Sequence, residues 1–112
     1  MEEEVRFNNY AENVEKRGRY DWYKWKVFVD EEDEILDKID YVEYLLHQTF
    51  PNRRRVINDR KSKFALAGAG WGQFNIVITI GFKDGNKTEQ RYFLSFDKSW
   101  PEGEDLPAVR YL

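Results

Sequence analysis

Apolar and polar residues alternate along several short stretches of the chain, and aromatic and β-branched residues predominate among the apolar ones. Turn-forming residues separate these stretches at short intervals. A period of two is typical of β-strands that bury one face, whereas an amphipathic helix repeats every 3.6 residues. The pattern therefore predicts an all-β domain, either a sandwich or a barrel.

The clearest alternation lies in residues 20–29, where Trp25, Val27 and Val29 share one face of the predicted strand. The opposite face carries a mixed set of side chains, namely Trp22, Lys24, Lys26 and Phe28. Residues 5–14 alternate less regularly, which predicts an edge strand. Both segments are expected to belong to the same all-β fold.

Two further strands are predicted around Asp84-Gly85-Asn86, which is a strong hairpin-turn sequence. Residues 74–82, rich in Ile and Phe, have the composition of a fully buried central strand. The chain is expected to return from the turn through residues 87–96.

The segment between residues 31 and 46 is ambiguous. Its apolar residues fall at helical spacing behind an acidic first turn, which favours a helix. The alternative is an acidic turn through Asp37 followed by a strand over residues 39–47. Periodicity alone does not choose between the two.

After Pro51 the sequence predicts a basic loop that ends at Lys63 and a short strand over residues 64–67. Residues 68–72, which contain three glycines, are predicted to form a turn because glycine weakens regular elements.

With 112 residues, 41% of them hydrophobic, the chain is expected to form a single domain over residues 1–112. It contains no cysteine, so disulfides, thiolate nucleophiles and Cys-based zinc sites are excluded. No stretch approaches the roughly 20 apolar residues of a membrane span, and the acidic start differs from a signal peptide. These features predict a cytoplasmic protein with no membrane partner, and the short chain suggests a module excised from a larger protein.

Charge is distributed unevenly along the chain. Residues 1–50 hold 14 acidic and 7 basic side chains, whereas residues 51–112 hold 7 acidic and 11 basic ones. The basic excess is concentrated in one run, Arg53, Arg54, Arg55, Arg60, Lys61 and Lys63. Such a run could bind nucleic-acid phosphates, but the net charge of −3 favours a solvated or peptide-contacting loop.

Catalytic and cofactor motifs are absent from the sequence. The glycines at 68 and 70 lack the third glycine of a dinucleotide-binding loop, and no phosphate-binding G-x-x-x-x-G-K-[ST] motif occurs. His47 is the only imidazole, and no serine lies in a nucleophile-elbow context. We therefore expect neither enzymatic activity nor a cofactor or metal.

Two sequence boxes remain, Leu46-His47-Gln48-Thr49-Phe50 and Gly70-Trp71-Gly72-Gln73-Phe74, and a basic stretch separates them. Together with the earlier Trp25-Lys26-Val27-Phe28-Val29 segment they resemble the YEATS domain family, in particular its prokaryotic branch. The resemblance runs over residues 25–97. It implies an immunoglobulin-like β-sandwich, in which residues 39–47 form a strand despite their helical spacing.

The resemblance also implies a function, because eukaryotic YEATS domains read acetyl- or crotonyl-lysine in an aromatic channel. It makes Phe50 and Trp71 the two walls, with the backbone N–H of Trp71 as donor to the acyl carbonyl. Further roles are implied for residues nearby: His47 and Phe74 at the end of the channel, the Thr49 hydroxyl at the amide, Gly70 and Gly72 beside Trp71, and Asp97 facing the peptide. Asp21 stands where the family has another wall aromatic, and either Tyr20 or Trp22 would replace it.

Elementary physics agrees with such a site. An ammonium loses several kcal/mol of hydration in a dry aromatic slot, whereas an acylated lysine is neutral and needs only its amide groups satisfied. Other interpretations stay open: Phe50 and Phe74 as core residues, His47 as a structural histidine, or the same rings with Asp97 as a methyl-lysine cage. The main alternative is a protein-interaction or sensor domain of a larger signalling or defence protein that keeps the fold without binding acyl-lysine.

Overall fold

Two antiparallel β-sheets pack face to face over residues 4–103, which this computed structural model describes apart from the side chain of Arg17. The strands are β1 (Phe7–Arg17), β2 (Tyr20–Val29), β3 (Ile39–Leu45), β4 (Arg54–Ile57), β5 (Leu66–Gly70), β6 (Phe74–Phe82) and β7 (Lys87–Leu94). The three-stranded sheet has the order β1-β2-β5 and the four-stranded sheet the order β4-β3-β6-β7. The predicted all-β sandwich is therefore confirmed, with β1 at an edge.

The core lies between the inward faces of the two sheets. Trp25, Val27 and Val29 of β2 are completely buried, as the alternation predicted. Across from them the four-stranded sheet contributes a row of equally buried side chains, Val42, Tyr44, Ile76, Ile78 and Ile80. Removing this apolar area from water is the main source of the stability of the fold.

Hydrogen bonds between polar side chains also link the two sheets. Asn9 of β1 is fully buried, and its Oδ1 accepts a hydrogen bond from the Tyr92 hydroxyl of β7 at 2.6 Å. The Asn9 side-chain amide donates to the Ser95 carbonyl at 2.7 Å. Burial, with a smaller contribution from the negative charge of Asp30, raises the pKa of Tyr92 to about 12.

The ambiguous segment contains both predicted elements in shortened form. A single helical turn, α1 (Asp33–Leu36), follows the acidic residues, and β3 begins at Ile39 between β4 and β6. Val42, Tyr44 and Leu46 are buried at every second position, which is strand periodicity. The strand implied by the resemblance is thus confirmed, although it ends at Leu45 instead of at residue 47.

The predicted basic loop is wrong over Arg54–Ile57, which forms β4 and pairs with β3. Arg55 and Ile57 point toward the sandwich, while Arg54 and Val56 are exposed. The arginines concealed this alternation, since a half-exposed edge strand tolerates charges on its outer face. The prediction that β6 is fully buried is also wrong: it is central, but only its Ile76, Ile78 and Ile80 face is in the core.

The prediction of a strand over residues 64–67 followed by a turn over residues 68–72 is wrong in its bounds, since the strand begins two residues later and extends to residue 70. The strand is β5, Leu66–Gly70, and the preceding Lys63 and Phe64 adopt left-handed backbone conformations. Gly68 pairs with Trp25 of β2, and a Cβ atom at Gly68 would collide with the Trp25 indole. The glycine is required for this close approach of an aromatic ring, not for a turn.

Candidate ligand-binding cavity

A cavity of about 740 Å³ opens beside the free edge of β5, where the loop between β3 and β4 approaches it. The lining comes from three parts of the chain: Trp22 and Trp25 of β2, residues 67–74, and Leu46, His47, Thr49, Phe50, Pro51 and Arg55. The two sequence boxes therefore lie together in space. The volume is in the range of sites that enclose small organic ligands.

Aromatic rings packed on one another form the inner wall. Phe50 contacts Phe74 with ring centroids 5.2 Å apart, and both rings meet Trp25 edge to face at 6.3 and 6.0 Å. His47 lies 6.4 Å from Phe74. Phe50 and Phe74 thus pack against the core and also line the cavity. Their positions are consistent with both interpretations, as core residues and as site residues.

Trp71 forms an exposed part of the wall, with 56% of its surface accessible. Its ring lies 4.7 Å from that of Tyr20 at an interplanar angle of 33°. Asp21 is exposed, Trp22 lines the cavity and Tyr20 packs against Trp71. The two neighbours of Asp21 therefore take different positions: Trp22 is part of the wall, and Tyr20 lies beside the exposed ring of Trp71.

The loop that carries Phe50 is held by a tight turn. The Phe50 N–H donates to the His47 carbonyl at 3.0 Å, and the Thr49 N–H donates to His47 Nδ1 at 3.3 Å. The Thr49 hydroxyl oxygen lies 3.0 Å from the same Nδ1. When that hydroxyl donates to Nδ1, its oxygen retains lone pairs that can accept an amide N–H from a ligand.

The three arginines of the basic segment have different surroundings. Arg55 lines the cavity, and its Nε and Nη2 donate to the carbonyls of Asn52 and Pro51 at 2.6 and 2.9 Å. Arg53 donates to the Leu46 carbonyl at 3.2 Å, and Arg54 forms an ion pair with Glu43 at 2.6 Å. Neither Arg53 nor Arg54 belongs to the cavity wall.

Asp97 also lies outside the wall. It is exposed, and its N–H donates to the Ser95 hydroxyl at 3.2 Å. The neighbouring Phe96 N–H donates to the Gln73 side chain at 2.6 Å, which links the segment after β7 to the loop that carries Trp71. Asp97 is thus the one candidate ligand-binding residue that the structure does not bring to the cavity.

Sequence reasoning assigned no site role to Trp25, Gly68 or Gln73, all of which line the cavity. Trp25 was recognised only as a core residue. Glycine-rich residues 68–72 were a possible signal, since a glycine on a neighbouring strand allows a large aromatic ring to approach closely, but the sequence does not show that β5 pairs with β2. Gln73 gave no such signal, because its partner is a backbone N–H more than 20 residues away.

Within residues 4–103 no group of three metal-ligating side chains comes together. The same part of the chain holds no candidate membrane-spanning helix.

Comparison with known proteins identifies the family to which this architecture belongs. The pYEATS family, the prokaryotic YEATS domain, matches residues 23–95, which is more than half of the chain. Among curated proteins, transcription initiation factor TFIID subunit 14b of Arabidopsis thaliana is 28% identical over 96 residues, covering 84% of this chain and 35% of that protein. Protein AF-9 homolog of Kluyveromyces lactis is 40% identical over 62 residues, covering 54% of this chain and 27% of that protein. The chain thus spans about a third or less of the length of these relatives.

Solved structures agree in fold. The yeast AF-9 homolog protein Yaf9 superimposes with a TM-score of 0.67 at 26% identity, covering 80% of this chain and 64% of that one. The Yaf9 YEATS domain in complex with a succinylated histone H3 peptide gives 0.64 at 22% identity, covering 87% and 80%. The predicted immunoglobulin-like β-sandwich is confirmed by these neighbours, and the chain belongs to the prokaryotic YEATS domain family.

Proposed function

We propose that this chain is a recognition module that binds an acylated lysine side chain of a partner protein in the cavity beside β5, and that it catalyses no reaction. YEATS domains are non-enzymatic reader modules. The observation that carries the proposal is the joining of the two boxes, because Phe50 and Trp71 line one cavity although they lie in different loops, Phe50 between β3 and β4 and Trp71 between β5 and β6.

The composition of the wall favours a neutral, planar group. Phe50, Phe74 and Trp71 offer ring faces or edges, and the Phe50 ring tip is 4.0 Å from where a Cβ of Gly70 would stand. An unmodified lysine would lose several kcal/mol of hydration against such rings, whereas an acyl amide is uncharged and stacks favourably. Acylation therefore changes a rejected side chain into an accepted one.

Polar groups for the amide are also at hand. The Thr49 hydroxyl lies at the cavity, and the Trp71 backbone lies just beyond the last residue of β5, Gly70. The pairing of β5 with β2 ends at Gly70, so Trp71 lies outside that ladder. A ligand amide in the cavity could satisfy its N–H at Thr49 and its carbonyl at the Trp71 N–H.

Solved relatives give independent support for this class of ligand. The Yaf9 YEATS domain has been crystallised with an acetylated histone H3 peptide and studied with a succinylated one. We extend only the class of ligand to this chain, an acylated lysine on a peptide or protein, since those domains are 21% and 22% identical to it.

Titration of the ¹⁵N-labelled domain with acetyl- and crotonyl-lysine peptides tests the proposal by NMR. We expect shifts at Trp71 and Thr49, affinity in the micromolar range, and no comparable shifts with the unmodified peptide. Trp71→Ala should weaken binding at least about tenfold. Phe93→Ala is the matched control, because Phe93 is equally exposed at 52% but lies on β7 outside the cavity.

Absence of any shift at millimolar acyl-lysine peptide would contradict the proposal. The alternative is then a protein-interaction or sensor domain that keeps the fold without acyl-lysine binding. In that case Trp71→Ala leaves partner binding intact, whereas charge reversal at Arg53, Arg54 and Arg55 abolishes it.

A further inference from the structure

Arg55 is the one side chain with a permanent charge among the residues that line the cavity. It stands on the inward face of β4 and is partly buried. Asp97, the acidic residue that the family resemblance placed at the ligand, lies outside the wall. The fixed charge on this wall is therefore positive.

The guanidinium of Arg55 has no carboxylate partner within residues 4–103. Its two hydrogen bonds go to neutral acceptors, the carbonyls of Asn52 at 2.6 Å and Pro51 at 2.9 Å. The neighbouring Arg54 is paired with Glu43 at 2.6 Å, and Arg60 is paired with Asp37 at the same distance. Arg55 thus differs from both in holding an uncompensated charge.

These two hydrogen bonds to carbonyls hold the guanidinium in place but use only some of its N–H donors. A guanidinium carries five N–H donors, so three remain for another acceptor. Arginine in this state is well suited to bind a carboxylate through two parallel hydrogen bonds, and partial burial strengthens such a bond. A partly buried cation without a counter-ion is also costly, which a bound anion would relieve.

We infer that the ligand of this cavity carries a carboxylate that Arg55 binds. The inference rests on the proposed function and narrows it, because it names the charge of the ligand. The carboxylate could come from either of two sources: the end of a dicarboxylic acyl group on the lysine, or an Asp or Glu next to the acylated lysine.

A set of peptides that share one sequence tests the inference by fluorescence anisotropy. In three of the peptides the lysine is unmodified, acetylated or succinylated. The fourth peptide contains an acetylated lysine with an Asp as the adjacent residue. We expect the wild-type domain to bind one of the two carboxylate-bearing acyl peptides about tenfold more tightly than the neutral acetyl peptide. Which of the two gains identifies the source of the carboxylate.

Three variants assign the effect to Arg55. Arg55→Gln should remove the tenfold advantage, whereas Arg55→Lys should keep part of it because the charge remains. Arg54→Gln is the matched control, since it removes a positive charge one residue away and outside the cavity. Circular dichroism of each variant shows whether the substitution in β4 has disturbed the fold.

Equal binding of neutral and carboxylate-bearing peptides by the wild type, or an advantage that survives Arg55→Gln, would overturn the inference. If no acylated peptide binds better than the unmodified one, the proposed function fails instead. The inference is then judged from the Arg55 Nε–H NMR signal during titration with an unacylated Asp-containing peptide: a shift supports a carboxylate site, and an unmoved signal overturns it.

Discussion

Gly68 of β5 lies directly opposite Trp25 of β2, and the Trp25 indole occupies the space where a side chain of residue 68 would be. The same indole is part of the cavity wall and meets Phe50 and Phe74 edge to face. The positions of the Phe50 and Phe74 rings therefore depend on the absence of a side chain at Gly68 on the neighbouring strand.

Gly68→Ala is expected to destabilise the domain by about 1 to 3 kcal/mol, because the Cβ forces the buried indole to move. Chemical denaturation monitored by tryptophan fluorescence measures the change. Gly72→Ala is the control, since nothing lies within 4 Å of a Cβ built at Gly72. Equal stability of the two variants would show that Trp25 is not held against Gly68.

The hydroxyl of Thr49 should matter for binding more than for stability. Thr49→Val keeps the branched shape but removes the hydroxyl that lies 3.0 Å from His47 Nδ1, and we expect about fivefold weaker binding of an acetyl-lysine peptide. Thr49→Ser retains the hydroxyl and should bind nearly as the wild type does. Isothermal titration calorimetry compares the three proteins, and unchanged affinity of Thr49→Val together with weaker binding by Thr49→Ser would point to the methyl group instead.

Tyr92 predicts a loss of stability in alkaline solution. The pKa of Tyr92 is raised to about 12 in the fold from an ordinary value of 10.0, chiefly by burial, so the folded state favours the protonated hydroxyl. The resulting stabilisation is fully present below about pH 10 and is lost as the pH rises toward about 12. Denaturant melts between pH 9 and 12 measure this loss.

Tyr92→Phe should flatten that alkaline dependence, although part of it will remain because burial also raises the pKa of Tyr44. At neutral pH the variant should be less stable by about 1 kcal/mol, since Asn9 Oδ1 loses the hydroxyl that donates to it. An unchanged slope of stability against pH would contradict the assignment to Tyr92.

Much of the fold was predictable because burial leaves a period of two in the sequence. β2 and β6 were predicted with the bounds they have, and Asp84-Gly85-Asn86 forms the hairpin, with the Asn86 N–H donating to Asp84 Oδ1 at 2.9 Å. Two of the failures, over Arg54–Ile57 and over Leu66–Gly70, share a physical origin, which is that pairing with another strand decides local structure. Arg54–Ile57 is a strand only because β3 offers it an edge.

The candidate site was predicted by motif more than by chemistry. Residue types alone did not bring Phe50 and Trp71 together, because their meeting depends on the packing of two sheets. The role inferred for Arg55 could not be read from the sequence, since it depends on which of three consecutive arginines faces the cavity. The motif also failed at one position, because the family resemblance implied that Asp97 faces the ligand, whereas Asp97 lies outside the cavity wall.

The central claim is that an acyl group enters between Phe50 and Trp71, and intermolecular nuclear Overhauser effects test it most directly. With a peptide whose acetyl-lysine carries a ¹³C-labelled methyl group, the account predicts contacts from that methyl group to the ring protons of both residues. Contacts confined to another aromatic cluster, such as the rings of Tyr10, Phe28 and Trp100 around Lys26, would contradict it.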